Sequence, residues 1–318
     1  MTSQPSPRSR HASVADAVPG NWVDAWAPEF ARPYLRLARA DRPIGVWLLL
    51  LPCWWSTALA GLAQGRMFPD IRHLLLFAVG AIVMRAAGCA YNDIVDREFD
   101  GKVARTRSRP IPSGQISVRG AQAFMLVMCV SGLLVLLQFN NFAILLGMGS
   151  LAVVAVYPFM KRYTDWPQAV LGLAFSWGAL MGWAAAYGRL DAPAMLLYAG
   201  AFFWTVGYDT IYAHQDKEDD ALLGLKSTAL KFGARTRLWL SAFYALTALL
   251  LLLAGFAAGA GIVFVCGLAL GAGNLTWQVA TLDTGDSINC LKRFRSNRDF
   301  GLIVFASLAA DMAIRALV

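Results

Sequence analysis

From Leu238 to Leu282 the chain runs 45 residues without a single charged side chain. One helix that long would outrun any bilayer, because about 20 apolar residues already cross the roughly 30 Å hydrocarbon core. The stretch must therefore break, and Gly255-Phe256-Ala257-Ala258-Gly259-Ala260-Gly261 supplies the break. Similar apolar runs recur along the chain. Nine spans are predicted, at about 44–64, 71–91, 120–138, 141–159, 167–187, 193–213, 237–256, 259–281 and 299–317. Only 15% of residues are charged, against about 25% in an average soluble domain. The apolar residues are continuous and do not alternate with polar ones, which argues against a β-barrel. The expected fold is all-α and polytopic, with the lipid bilayer as its solvent.

The loops set the orientation. With the N-terminus inside, loops 92–119, 160–166, 214–236 (with Arg237 at its edge) and 282–298 hold 17 Lys and Arg, against only Arg66, Arg72 and Arg189 on the other side. Cytoplasmic loops carry such an excess. The net charge of +8 is explained this way, and no nucleic-acid partner is expected.

Residues 1–28 are polar, lack an apolar h-region and are expected to be a disordered N-terminal tail. A bacterial tail is preferred over an organelle transit peptide, so a bacterial inner membrane is expected, with the mitochondrial inner membrane as the alternative. Residues 29–318 are read as a single transmembrane domain. The arginines and apolar positions from Arg32 to Pro43 suit an interfacial helix on the headgroups. Five scattered cysteines and three separated histidines offer neither a zinc site nor a disulfide framework. Asp311 and Arg315, four apart, are expected to pair locally.

The chemistry concentrates in Tyr91-Asn92-Asp93-Ile94-Val95-Asp96-Arg97-Glu98-Phe99-Asp100. On a helix, Asn92, Asp93, Asp96 and Asp100 share an arc of about 100°. Like charges this close repel unless a cation neutralises them. Hard oxygen ligands suit Mg²⁺ shared with a phosphate. The plain alternative is a solvated helix end.

A second stretch, Trp204 to Asp220, repeats the pattern. If it is one helix, Asp216 and Asp220 fall within about 20° of Asp209, and Tyr212 lies one turn beyond it. Asp209 sits inside a predicted span, where an ionisable group is a functional candidate by default. Six carboxylates and Asn92 could hold two Mg²⁺ ions with a diphosphate between them. Arg85 lies about 20° from Asn92 on the same face, two turns deeper. Its role is either a structural ion pair or an anion contact, since a lone buried arginine costs roughly 2.5 kcal/mol or more. The basic loop holding Lys102, Arg105 and Arg109, together with Lys161-Arg162 and Lys226-Ser227-Thr228, fits phosphate binding, topology signalling, or both.

On these residues the chain resembles the UbiA superfamily of intramembrane aromatic prenyltransferases. Asn92 to Asp100 matches the family's NDxxDxxxD motif. Tyr208 to Asp220 is similar to the version in its 4-hydroxybenzoate branch. Agreement extends to Asp41-Arg-Pro-Ile-Gly45, Arg85-Ala-Ala-Gly-Cys89, Arg109-Pro-Ile-Pro-Ser-Gly114, Val156-Tyr-Pro-Phe-Met-Lys-Arg-Tyr163 and Lys226-Ser-Thr228. The resemblance implies nine helices around a central cavity, with cap loops on the cytoplasmic side.

The resemblance further implies Mg²⁺, a polyprenyl diphosphate donor and 4-hydroxybenzoate as acceptor. Carried over, the metal ligands are Asn92, Asp96, Asp100, Asp209, Asp216 and Asp220. The cationic substrate contacts are Arg42, Lys102, Arg105, Arg109, Arg162 and Lys226. Asp93, Asp96, Asp216 or Tyr212 would take the ring proton, and Arg85 or Arg162 would hold the benzoate carboxylate. Other acceptor rings are the rival within the family. An ion-coupled transporter is the rival outside it, but that reading wants acids near the midplane, not at helix exits. A CDP-alcohol phosphotransferase fails because nothing after Asp100-Gly101-Lys102-Val103-Ala104-Arg105 completes its motif.

Overall fold

The computed structural model describes Val14, Ala17, Val18 and residues 20–317. Among them there is no strand. In chain order the helices are α1 (Trp22–Trp26), α2 (Arg32–Leu37), α3 (Ile44–Ala63), α4 (Ile71–Asp100), α5 (Val118–Leu136), α6 (Asn141–Val156), α7 (Met160–Tyr163) and α8 (Pro167–Phe175). They continue as α9 (Gly178–Tyr187), α10 (Ala192–Ala213), α11 (Lys217–Leu222), α12 (Thr228–Phe232), α13 (Thr236–Ala257), α14 (Ile262–Ala280), α15 (Ser287–Arg295) and α16 (Asn297–Arg315).

Among the described residues, seven stretches are long and apolar enough to cross a membrane: Ile44–Ala63, Ile71–Asp100, Val118–Leu136, Asn141–Tyr163, Pro167–Tyr187, Thr228–Ala257 and Ile262–Ala280. The other two of the nine expected spans are helices of the right length, α10 and α16, but they fall short in apolarity. Helix α16 carries Arg298, Asp299, Asp311 and Arg315. Helix α10 carries Asp209 and buries 13 residues; a helix surrounded by protein needs less lipophilic surface. The fifth expected span is interrupted at Ser176-Trp177, between α8 and α9.

Two further expectations need correction. Helix α1, capped by the Asn21 side chain on the Asp24 N–H, lies inside the segment expected to be disordered; most of residues 1–19 fall outside the described residues. Asp311 does not pair with Arg315. Its carboxylate accepts the N–H groups of Gly261 and Phe264, because the first turn of a helix leaves its N–H groups without partners.

The chain divides into two compact units, one formed by residues up to Val46 with Gly80–Leu134, the other by Trp47–Val79 with Val135–Val318. In the first unit, Leu37, Ala90, Ile111, Ile116 and Ala121 form the core, backed by Ile94, Val118, Phe124 and Met125. This ties α2, α4, α5 and the basic loop into one body. In the second unit, Trp55, Trp204 and Phe300 meet with ring centroids 4.8 to 6.0 Å apart. Their polar edges are satisfied: Trp55 Nε1 donates to Gly301 O and Trp204 Nε1 to Asn297 Oδ1. Helix α9 approaches α3 closely at Gly178 and Gly182.

Candidate active site

The first acidic stretch is helical, as its spacing predicts, and forms the last turns of α4. At 30 residues and about 1.5 Å per residue, this helix is longer than a bilayer core is thick. Asp93 and Asp100 are buried, while Asn92 and Asp96 are half-buried. The acids are not left to repel one another. Asp93 Oδ1 accepts from Arg39 Nη2 at 2.6 Å, and the Asp93 side chain has no exposure at all. Arg109 Nη1 reaches both oxygens of Asp100, at 2.9 and 2.8 Å, and stands 3.6 Å from Asp93 Oδ1. The basic loop thus folds back on the acids whose charge it balances. Asp93 Oδ2 is buried and accepts no hydrogen bond among the described residues.

The other cations of this unit are spread more widely. Arg42 lies 3.6 Å from Asp41. Lys102 is exposed and sits over the Phe99 ring. Arg105 is half-buried. Arg85 packs on Gly45, where an added Cβ would stand 2.5 Å from its Nε; the glycine makes room for the guanidinium. Sequence reasoning missed Arg39, because nothing in the spacing links positions 54 residues apart.

The second acidic stretch departs from expectation. Helix α10 stops at Ala213, and α11 begins at Lys217, with Asp216 at its N-cap in a non-helical conformation. Asp209 therefore does not share one continuous helix with Asp216 and Asp220. Asp competes with the backbone for local hydrogen bonds and favours helix caps over helix interiors, and the turn runs over His214-Gln215-Asp216 up to the Asp216 cap. Asp220 is buried, with Lys161 Nζ 3.6 Å from its Oδ1. The Lys226 N–H donates to Lys161 O at 2.8 Å, and Leu225 N–H to Asp220 O at 2.8 Å.

A hydroxyl chain anchors this loop to α10. Thr210 Oγ1 lies 2.8 Å from Thr228 Oγ1, and the Thr228 N–H donates to Gln168 Oε1. The structure thus gathers Asp220, Lys161 and Lys226. Tyr212 packs its ring on Phe294 at 4.7 Å, and Arg162 is exposed over Phe159. Burial, helped by the Lys217 charge, pushes His214 down to about 4. Its Nε2 faces Thr236 Oγ1 at 3.1 Å.

Every candidate donor here is a carboxylate or amide oxygen, the hard set that Mg²⁺ takes. Among the described residues, no three His, Cys, Asp or Glu side chains converge tightly enough to hold an ion unaided.

The chain is 48% identical over 305 residues to the human protein named 4-hydroxybenzoate polyprenyltransferase, mitochondrial, covering 96% of this chain and 81% of the relative. The Arabidopsis thaliana protein of the same name is 46% identical over 290 residues, covering 91% and 70%. In fold, the chain is similar to a UbiA homolog from Archaeoglobus fulgidus solved with DMAPP and Mg²⁺, with a TM-score of 0.64 at 22% identity, covering 90% of this chain and 99% of that one. The model of the UbiA prenyltransferase family matches residues 49–306, and the chain belongs to that family.

Proposed function

We propose that this chain transfers a polyprenyl group from a polyprenyl diphosphate to the ring carbon ortho to the hydroxyl of 4-hydroxybenzoate. The reaction is a step of ubiquinone biosynthesis, with Mg²⁺ as cofactor. The observation that carries the reading is near-half identity with relatives of that name over more than nine-tenths of the chain. The acidic stretches supply the matching chemistry. A fold-mate bound to DMAPP and Mg²⁺ supports the metal and the donor class. On this reading α10 and α16 complete nine spans, and residues 29–318 act as one functional domain. The mitochondrial names of the relatives favour a mitochondrial inner membrane over a bacterial one.

Bound Mg²⁺ would supply Lewis-acid stabilisation of charge on the departing diphosphate. Asn92, Asp96, Asp100, Asp209, Asp216 and Asp220 would hold it. Lys226, Arg42, Lys102, Arg105, Arg109 and Arg162 would bind diphosphate oxygens through charge-assisted hydrogen bonds. The allylic C–O bond breaks, diphosphate leaves, and the electron-rich ring attacks the allylic carbon. The ring then loses its proton to Asp96, Asp216, the free oxygen of Asp93, or Tyr212. Arg85, held against Gly45, or Arg162 would orient the acceptor carboxylate. Apolar span residues keep water from the cation.

The test incubates membranes containing the chain with labelled 4-hydroxybenzoate, a polyprenyl diphosphate and Mg²⁺, with and without chelator. A lipid-soluble labelled product that chelator abolishes is expected. Asp96→Asn and Asp216→Asn should each abolish it while the protein stays folded in the membrane. Full activity in both variants would remove these acids from the mechanism.

A further inference from the structure

We propose that Arg39 is a positioning residue for the first acidic stretch, fixing Asp93 from outside the ligand set. The inference rests on the prenyl-diphosphate reading above. Helix α2 ends in a tight cap. The Ala40 N–H bonds back to Leu35 O at 2.9 Å, and the Arg39 N–H to Arg36 O at 3.1 Å. In this cap the fifth residue adopts a left-handed backbone, and glycine is its usual occupant. Here it is Arg39, with φ 60°, the one non-glycine residue with positive φ among those described. A large side chain in that conformation is strained, and such strain persists where the surroundings hold the residue for a purpose.

The side chain shows the purpose. The Arg39 side chain is 10% exposed, and its guanidinium bonds Asp93, whose side chain is fully enclosed. Arg39 Nη1 also donates to Arg36 O at 3.4 Å. Arg109 Nη1 stands farther off, 3.6 Å from the same Asp93 oxygen, while bonding both oxygens of Asp100 at 2.9 and 2.8 Å, so the short hydrogen bond to Asp93 is the one from Arg39. Asp93 directly follows Asn92 and precedes Asp96 by three residues, within one turn of both. Holding Asp93 fixes the rotation of α4 at the point where Asn92 and Asp96 must present their oxygens. Arg39 also neutralises one acid of a crowded stretch. The remaining oxygens then face a metal with less mutual repulsion. Partners that orient a ligand-bearing group usually matter about 10- to 100-fold in metal affinity or activity.

The test uses the full chain in lipid nanodiscs with Arg39→Gly, Arg39→Lys, Asp93→Asn and the Arg39→Gly/Asp93→Asn double variant. Arg39→Gly suits the cap backbone, so a loss cannot be charged to cap strain. The Mg²⁺ concentration for half-maximal prenyl transfer should rise about tenfold or more in Arg39→Gly, while the KM for the aromatic acceptor holds. Arg39→Lys should rescue part of the shift, since it keeps the charge but not the planar fork. Melting without Mg²⁺ should show strong non-additivity between the Arg39 and Asp93 changes.

An unchanged Mg²⁺ response in both Arg39 variants overturns the proposal, as do additive melting shifts. A melting loss with an unchanged Mg²⁺ response makes the pair merely structural and also overturns it. If Arg39→Gly fails to fold, Arg39→Lys carries the Mg²⁺ comparison alone. Absence of Mg²⁺-dependent transfer in the unmodified chain sinks the functional reading instead, and the metal-free melting cycle still decides whether the pair holds α4.

Discussion

The carboxylate of Asp311 in α16 sits at the start of α14, accepting the Gly261 N–H at 2.7 Å and the Phe264 N–H at 3.3 Å. Asp311 is 1% exposed. A buried carboxylate inside a span is costly, and here the positive end of α14 offsets that cost. Replacing Asp311 with Ala leaves the buried Phe264 N–H and the half-buried Gly261 N–H without this acceptor, at about 1–3 kcal/mol. Asp311→Ala should lower the melting temperature of the detergent-solubilised protein, and Asp311→Asn less so. Arg315→Ala should leave it nearly unchanged. Equal losses from Asp311→Ala and Arg315→Ala would restore the local ion pair that this cap displaces.

Helix α9 meets α3 through Gly182. An added Cβ would stand 2.6 Å from Thr57 N and 2.8 Å from Cys53 O, both backbone atoms that have nowhere to go. The adjoining Trp183 N–H donates to Ser56 Oγ at 2.8 Å, so the two helices are pinned at this height. Gly182→Ala should therefore destabilise by about 1–3 kcal/mol through overpacking, read as a lower melting temperature. An unshifted melt would show that the helices separate easily here.

Much of the fold is legible because lipid imposes one simple demand, twenty apolar residues in a row. The expected span at 237–256 emerges as Thr236–Ala257, and that at 120–138 as Val118–Leu136. The short helices α11, α12 and α15 escape a window of that width. Two of them carry a readable signal, however. Ser227 caps α12 through the Leu230 N–H, and Asp286 caps α15 through the Ile288 and Asn289 N–H groups, as Ser and Asp commonly do before a helix.

The site divides in the same way. Helical periodicity places Asn92 to Asp100 correctly because α4 continues through them. The same arithmetic fails across His214-Gln215-Asp216, where the helix ends. Arg39 and Asp93 are joined only by tertiary folding, which no local period encodes.

The first unit holds a pH-dependent pair. Asp24 Oδ1 accepts from Arg36 Nη2 at 2.7 Å, and Arg36 Nη1 donates to Gln115 at 2.9 Å. Burial opposes the charge on Asp24, but the Arg36 and Asn21 hydrogen bonds prevail and hold its carboxyl below the usual range. A depressed carboxylate stabilises the fold fully above its unfolded pKa and loses that contribution as pH falls through its folded value. Asp24→Asn should thus lower the melting temperature at neutral pH. The gap to the unmodified chain should shrink once the pH drops below about 4. A gap that stays constant from pH 7 down through the acid range would mean that Asp24 contributes shape and not charge.

Lys226 allows charge to be separated from architecture. Its backbone N–H is held by Lys161 O at 2.8 Å, and the next two residues are anchored through Leu230 N–H, Thr210 and Gln168. The side chain is exposed, and among the described residues its Nζ hydrogen-bonds Tyr163 O alone, at 3.4 Å. Lys226→Ala therefore removes a cation without unfastening the loop. The melt should stay put while the KM for the prenyl diphosphate rises about tenfold, equivalent to about 1.4 kcal/mol of lost binding. On the proposed reading, in which this cation meets the diphosphate, the acceptor KM should hold. Thr228→Ala supplies the opposite pattern: it removes the buried Thr210 partner, costs about 1 kcal/mol of stability and leaves the cation in place. A matched drop in melting temperature for both variants would show that Lys226 belongs to the scaffold, and a Lys226→Ala enzyme with an unaltered diphosphate KM would remove it from the substrate contacts.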